Sequence, residues 1–274
     1  MPLPVTTGRI TRPDGATIAY EVSGSGPALV FAHGLGGNAM SWYQQVPVFA
    51  ERYRTVAFSH RGFLPSTVNG PAPDPADYAA DAEALLDHLG IERAVFVGQS
   101  MGGWTSIELA LAKPQRVAGI VLSCTTGTLA FQLETAPGAQ KWKDFQKSEG
   151  EWLAANHIHR AAGRRMAVED PIRFSAYMAI DRLNAGLNKD AVMKRLWETR
   201  NRGPADAARV ACPVLFVTGS DDIVVPPPGV KQVAATLPDA RVVEVPASGH
   251  SVYFERPGLF NALVERFLAE IGWA

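Results

Sequence analysis

Only two cysteines occur in 274 residues, Cys124 and Cys212. Two thiols so far apart are too few for a disulfide framework and lack the spacing of a metal site. Each borders an apolar, strand-like run, which predicts buried free thiols. Long hydrophobic runs are also missing. No window approaches the roughly 18 apolar residues of a membrane helix. The opening MPLPVTTGRI has no positive segment followed by an apolar stretch, so the expectation is a soluble cytoplasmic protein with no membrane partner. Charge of one sign is equally scarce. Lys and Arg number 26 against 27 Asp and Glu, a formal net charge of −1, so no overall field favours nucleic acid. Local basic clusters (Lys141, Lys143, Lys147; Arg164, Arg165) read as solvated helix faces, and no nucleic-acid partner is expected.

What is present suits a globular core. Hydrophobic residues make up 47% and charged residues 19%, and the length fits one large α/β unit. Alternation around Asp14-Gly15 predicts a hairpin. ALVFAHG (28–34), RTVAFS (54–59), AVFVG (94–98), VAGIVLS (117–123) and the run in CPVLFVTGSDD (212–222) predict strands, the continuous runs being buried on both faces. Helical spacing predicts helices at about 40–52, 76–89 and 100–112, near 228–237, and from Pro257 to about Ile271; ARVVEV (240–245) predicts the last strand. Strands alternating with helices imply a mostly parallel central sheet covered on both faces. The alternation stops between about 124 and 205, a helical stretch rich in Trp, Met, Ala and Arg. Residues 1–123 and 206–274 are therefore expected to form an α/β core, with 124–205 a helical cap inserted over one edge.

The most informative stretch is VFVGQSMGGW, residues 95–104. An apolar run meets Gly98, then Gln99 and Ser100, then Met101 and two more glycines, after which the pattern becomes helical. Glycines beside a serine at a strand-to-helix junction permit a sharp, strained turn, because side chains at 98 and 102 would collide with neighbouring backbone. Such a turn lifts the hydroxyl above the carboxyl edge of the sheet, where open α/β folds bind ligands. The helix that follows directs free N–H groups and its dipole at negative charge forming there.

A serine needs a base to take its proton. His250 stands in a Gly/Ser loop after the last strand, on the same sheet edge. An imidazole base needs an orienting carboxylate, and Asp221 or Asp222 follows the preceding strand. Nucleophile, acid, histidine is the chain order expected when these loops share one edge.

His33-Gly34, Gly98-Gln99-Ser100-Met101-Gly102, Gly219-Ser220-Asp221-Asp222 with Pro226, and Gly249-His250-Ser251 together make the chain resemble the α/β-hydrolase superfamily, over nearly its whole length. The resemblance implies an α/β-hydrolase fold with Ser100 as nucleophile, His250 as general base and acid, and Asp222 as orienting carboxylate. It selects Asp222 because family members place the acid three residues after the glycine and four before the proline, as with Gly219 and Pro226. It implies an oxyanion hole from the backbone N–H groups of Leu35 and Met101, worth roughly 3–4 kcal/mol in serine hydrolases. His33 and Gln99 are expected at the pocket rim, and no cofactor or metal is expected. Ser59 and Leu64 stand where the family usually has Asp and Gly, which predicts altered loop packing near the site entrance.

The activity implied is a cofactor-independent serine hydrolase acting on a small-molecule carboxylic ester or lactone with an apolar portion, similar to small bacterial esterases and enol-lactonases. Peroxide in place of water would add perhydrolase activity. One alternative is a carbon–carbon hydrolase of ring-cleavage products, disfavoured by Gln99 and Ser251 where those enzymes carry Asn and Trp. Another is a non-catalytic ligand receptor on the same fold. His157 and His159 point apart if helical, and with His60 and His88 read as surface or loop residues.

Overall fold

The apolar runs lie side by side as the parallel strands of one sheet. The computed structural model describes residues 3–274. Its strands are β1 (Val5–Thr11), β2 (Thr17–Ser23), β3 (Ala28–Ala32), β4 (Arg54–Phe58), β5 (Ala94–Gln99), β6 (Val117–Ser123), β7 (Val214–Gly219) and β8 (Ala240–Val245). Their order is β1-β2-β4-β3-β5-β6-β7-β8. The hairpin of β1 and β2 is antiparallel and so is the β2–β4 pair, whereas every pair from β4 to β8 is parallel. This is the α/β-hydrolase fold expected from the sequence.

The strand period of two divides the core into two layers. Val30, Phe96, Ile120 and Phe216 face α2 (Tyr78–His88), α3 (Gly102–Ala112) and α9 (Pro227–Ala234). Phe31, Val95, Val97, Val121 and Val217 face α1 (Val46–Phe49), α10 (Val252–Glu255) and α11 (Pro257–Glu270). Because both faces are covered, β3, β5, β6 and β7 are buried at every position. That explains why they read as continuous runs. Both cysteines are buried and free.

The helix expected at 40–52 is shorter and broken. A 3₁₀ turn over Ala39–Trp42, capped by Asn38, precedes the four-residue α1, whose start coincides with Pro47. Between β6 and β7 run α4 (Ala139–Ala155), α5 (Arg164–Glu169), α6 (Pro171–Leu183), α7 (Lys189–Thr199) and α8 (Pro204–Ala207). The two ends of this insertion are tied by Ala130 N–H to Arg202 O (2.9 Å) and Arg202 N–H to Thr128 O (3.0 Å). Val192 and Leu196 of α7 pack on Trp104 and Met101, beside the start of α3. The insertion therefore rests on the sheet edge that carries Ser100.

Candidate active site

Ser100 occupies the left-handed region at φ 47°, immediately after β5. Such a conformation costs a non-glycine residue about 1–3 kcal/mol and persists only where the surroundings impose it. Here they do. A Cβ on Gly98 would lie 2.6 Å from Gly102 O, and one on Gly102 would lie 2.0 Å from Ala32 O. The glycines let α3 start almost against β3 and β5, and Ser100 N–H is held by Ser123 O at 3.0 Å.

His250 reaches this serine from the loop after β8. Its Nε2 is 2.9 Å from Ser100 Oγ, and its Nδ1 is 2.9 Å from Asp222 Oδ2. Asp222 is fully buried in the loop after β7, and its Oδ1 accepts the N–H groups of Val224 (2.7 Å) and Val225 (2.9 Å). A carboxylate only accepts, so Nδ1 carries the proton and Nε2 presents its lone pair to the serine hydroxyl. Asp221 is turned elsewhere, accepting from Ser220 Oγ at 2.6 Å.

The N–H groups of Leu35 and Met101 donate to no backbone carbonyl among the described residues. Met101 precedes α3, and Leu35 borders the hollow at Ser100. His33 braces the Leu35 loop from below rather than standing at the rim. It is fully buried, donates Nδ1–H to Gly34 O at 2.7 Å and accepts His60 N–H at Nε2 at 2.9 Å. Burial pulls its pKa down to about 4, so the ring is neutral at physiological pH. His60 is also buried rather than superficial, with Nε2 2.8 Å from Thr105 Oγ1. Gln99 does border the hollow, and its Nε2 donates to His250 O at 3.1 Å.

A family model described as the alpha/beta hydrolase fold matches residues 27–257. The chain belongs to the α/β-hydrolase family. It is similar to a Mycobacterium tuberculosis protein named for non-heme bromoperoxidase activity, BpoC, at 31% identity over 93% of this chain and 98% of the relative. A Klebsiella pneumoniae protein named for carbamate hydrolysis, RutD, is 30% identical over 87% of this chain and 90% of that one. Among solved structures, Est816, described as an N-acyl homoserine lactone degrading enzyme, superposes with a TM-score of 0.74 at 26% identity. That match covers 95% of this chain and all of Est816. The protein is thus a hydrolase of the α/β fold, and no helix among its described residues is long and apolar enough to cross a membrane.

In this hydrolase the hollow at Ser100 has a volume of about 140 Å³. Leu35, Gly36, Gln99 and Val224 form its core side, and His159, Tyr177, Asp181, Lys189 and Met193 its insertion side. Sequence reading missed most of the second group. His159, expected at the surface, is partly buried here, and burial lowers its pKa while Asp181 opposes the shift. Lys189 Nζ donates to Asp181 Oδ1 at 2.6 Å. These residues are scattered over three segments, so only the folded insertion brings them together.

The departures from the family pattern have a local structural role. Ser59 Oγ accepts Ala39 N–H and donates to Leu64 O, both at 3.2 Å. Leu64 N–H donates to Asn184 Oδ1 at 2.9 Å, tying this loop to the end of α6. Cys124 Sγ, Asp222 and His250 offer ligand atoms within 4.8 Å of one another. Their chemistry does not fit a metal. Burial pushes the Cys124 thiol well above its ordinary range, and Asp222 and His250 already bind each other.

Proposed function

We propose that this hydrolase cleaves carboxylic esters or lactones with an apolar portion, without a cofactor, through an acyl-enzyme on Ser100. The observation that carries the reading is the unbroken hydrogen-bond line from Ser100 Oγ through His250 to Asp222, at 2.9 and 2.9 Å. His250 Nε2 takes the serine proton as Oγ attacks the carbonyl carbon. Asp222 keeps the other proton on Nδ1 and stabilises the imidazolium. The oxyanion forms against the Leu35 and Met101 N–H groups, which have no backbone acceptor of their own among the described residues. His250 then protonates the leaving alkoxide, and the acyl group remains on Ser100. Water repeats the sequence in reverse, releasing acid and free serine. Peroxide in that step releases a peracid, a reaction in keeping with the name of the bromoperoxidase relative.

Residues 124–205 act in this reading as a cap that covers the acyl portion. Met193, Tyr177 and Val224 offer apolar surface beside Ser100. Each methylene buried there stabilises the transition state by about 0.8 kcal/mol. A p-nitrophenyl series from acetate to octanoate, with Ser100→Ala as the blank, tests both points. Expected are a kcat/KM that rises beyond acetate and no turnover by S100A above the buffer rate. A preference for acetate would contradict the apolar cap, and undiminished turnover by S100A would contradict the serine mechanism.

A further inference from the structure

Both backbone N–H groups that flank His250 donate into one carboxylate. Gly249 N–H meets Glu255 Oε2 at 2.9 Å, and Ser251 N–H meets Oε1 at 3.1 Å. Glu255 ends α10 and is 6% exposed. Gly163 covers it so closely that a Cβ there would come within 2.7 Å of Oε2. The neighbouring guanidinium groups are engaged elsewhere. Arg256 donates to Ala247 O (2.8 Å) and Ser248 Oγ (3.3 Å), and Arg173 to the backbone carbonyl of Glu255 (3.1 Å). Burying a carboxylate without a direct ion pair is costly, so what it holds must repay that cost. Among the described residues it accepts only from the backbone N–H groups on either side of His250.

We propose that Glu255 is a positioning residue for His250, its carboxylate fixing the backbone from which the imidazole bridges Ser100 and Asp222. This rests on the reading of Ser100 and His250 as nucleophile and base. Among the other bonds that restrain the loop are Gln99 Nε2 to His250 O at 3.1 Å and Ser251 Oγ to Ala161 O at 2.6 Å. Neither grips the N–H groups on both sides of the histidine. A carboxylate accepts with each oxygen, whereas a carboxylic acid must place a proton on one, and that oxygen then opposes an N–H. Protonation of Glu255 therefore releases half of the clamp.

The surroundings set the clamp to open near neutrality. Burial raises the Glu255 pKa to about 7 against the two N–H bonds, with Asp222 raising it and Arg256 lowering it. Cys124, after β6, and Tyr177, on α6, also sense its charge, and Arg173, Asp170, Glu169 and Arg165 line the hollow beside it. Acidification through neutrality therefore weakens the clamp.

The test measures kcat and KM of wild type and Glu255→Gln on p-nitrophenyl butyrate from about pH 5 to about pH 9, with folding followed by circular dichroism. At the alkaline end E255Q should lose at least about tenfold in kcat, the effect of one hydrogen bond to a charged group, with KM within about twofold. That ratio should shrink toward unity on acidification. The wild-type log kcat should fall more steeply than that of E255Q as pH drops through about 7. A wild-type kcat that does not fall on acidification through about pH 7 overturns the proposal even if E255Q does not fold. So does an E255Q that matches wild type, or one whose loss is the same at every pH. If wild type itself turns over no ester, the serine-hydrolase reading falls first and this one with it.

Discussion

Asp221 and Asp222 are adjacent and chemically identical, but their environments differ. Asp222 is fully buried and meets His250 Nδ1, whereas Asp221 is partly exposed and bound to Ser220. An amide at 222 cannot hold the Nδ1–H tautomer or stabilise an imidazolium. Asp222→Asn should therefore lower kcat by at least about a hundredfold, and Asp221→Asn by less than about tenfold, in folded variants. Equal losses would remove the distinction. The resemblance to the α/β-hydrolase family singled this residue out, through its spacing from Gly219 and Pro226. His33 and His60 were less legible. Whether a histidine is buried depends on tertiary partners, here Gly34 O and Thr105 Oγ1, and local sequence does not encode them.

At the scale of elements, β3, β5, β6 and β7 were readable because strands covered on both faces carry apolar residues without alternation. The turn at Ser100 was readable for a different reason: two glycines mark close backbone approaches that no other residue permits. The segment at 40–52 misled because its apolar spacing suits a helix, while Asn38 just before it and Pro47 within it start separate turns. The insertion was legible only as helical. Its hollow takes residues from α6, from α7 and from the link before α5, and nothing local in the sequence pairs Lys189 with Asp181.

At the scale of the whole molecule, buried groups with opposed shifts make stability depend on pH. His33 is held down to about 4 by burial, and His60 well below its ordinary value by burial and then by His33. Unfolding returns both toward about 6.5, so their contribution is present above that pH and lost as pH falls through the range toward about 4. Glu255 runs the other way. Its folded pKa of about 7 lies above the unfolded value, so its contribution is present below about 4.5 and lost as pH rises through 7. Between about pH 4.5 and 6.5 the carboxylate partly offsets the two histidines. Wild type should lose thermal stability on acidification across this window, and E255Q should lose it more steeply. Midpoints from thermal unfolding would contradict this if E255Q fell no faster than wild type.

The account depends most on Ser100 being the residue that becomes acylated. The direct measurement is peptide mass spectrometry after reaction with a fluorophosphonate, on wild type, S100A and D222N. The prediction is one phosphonyl group on the peptide containing Ser100, a much slower reaction in D222N and none in S100A. Label on any other residue, or a folded wild type that takes up none, would contradict it.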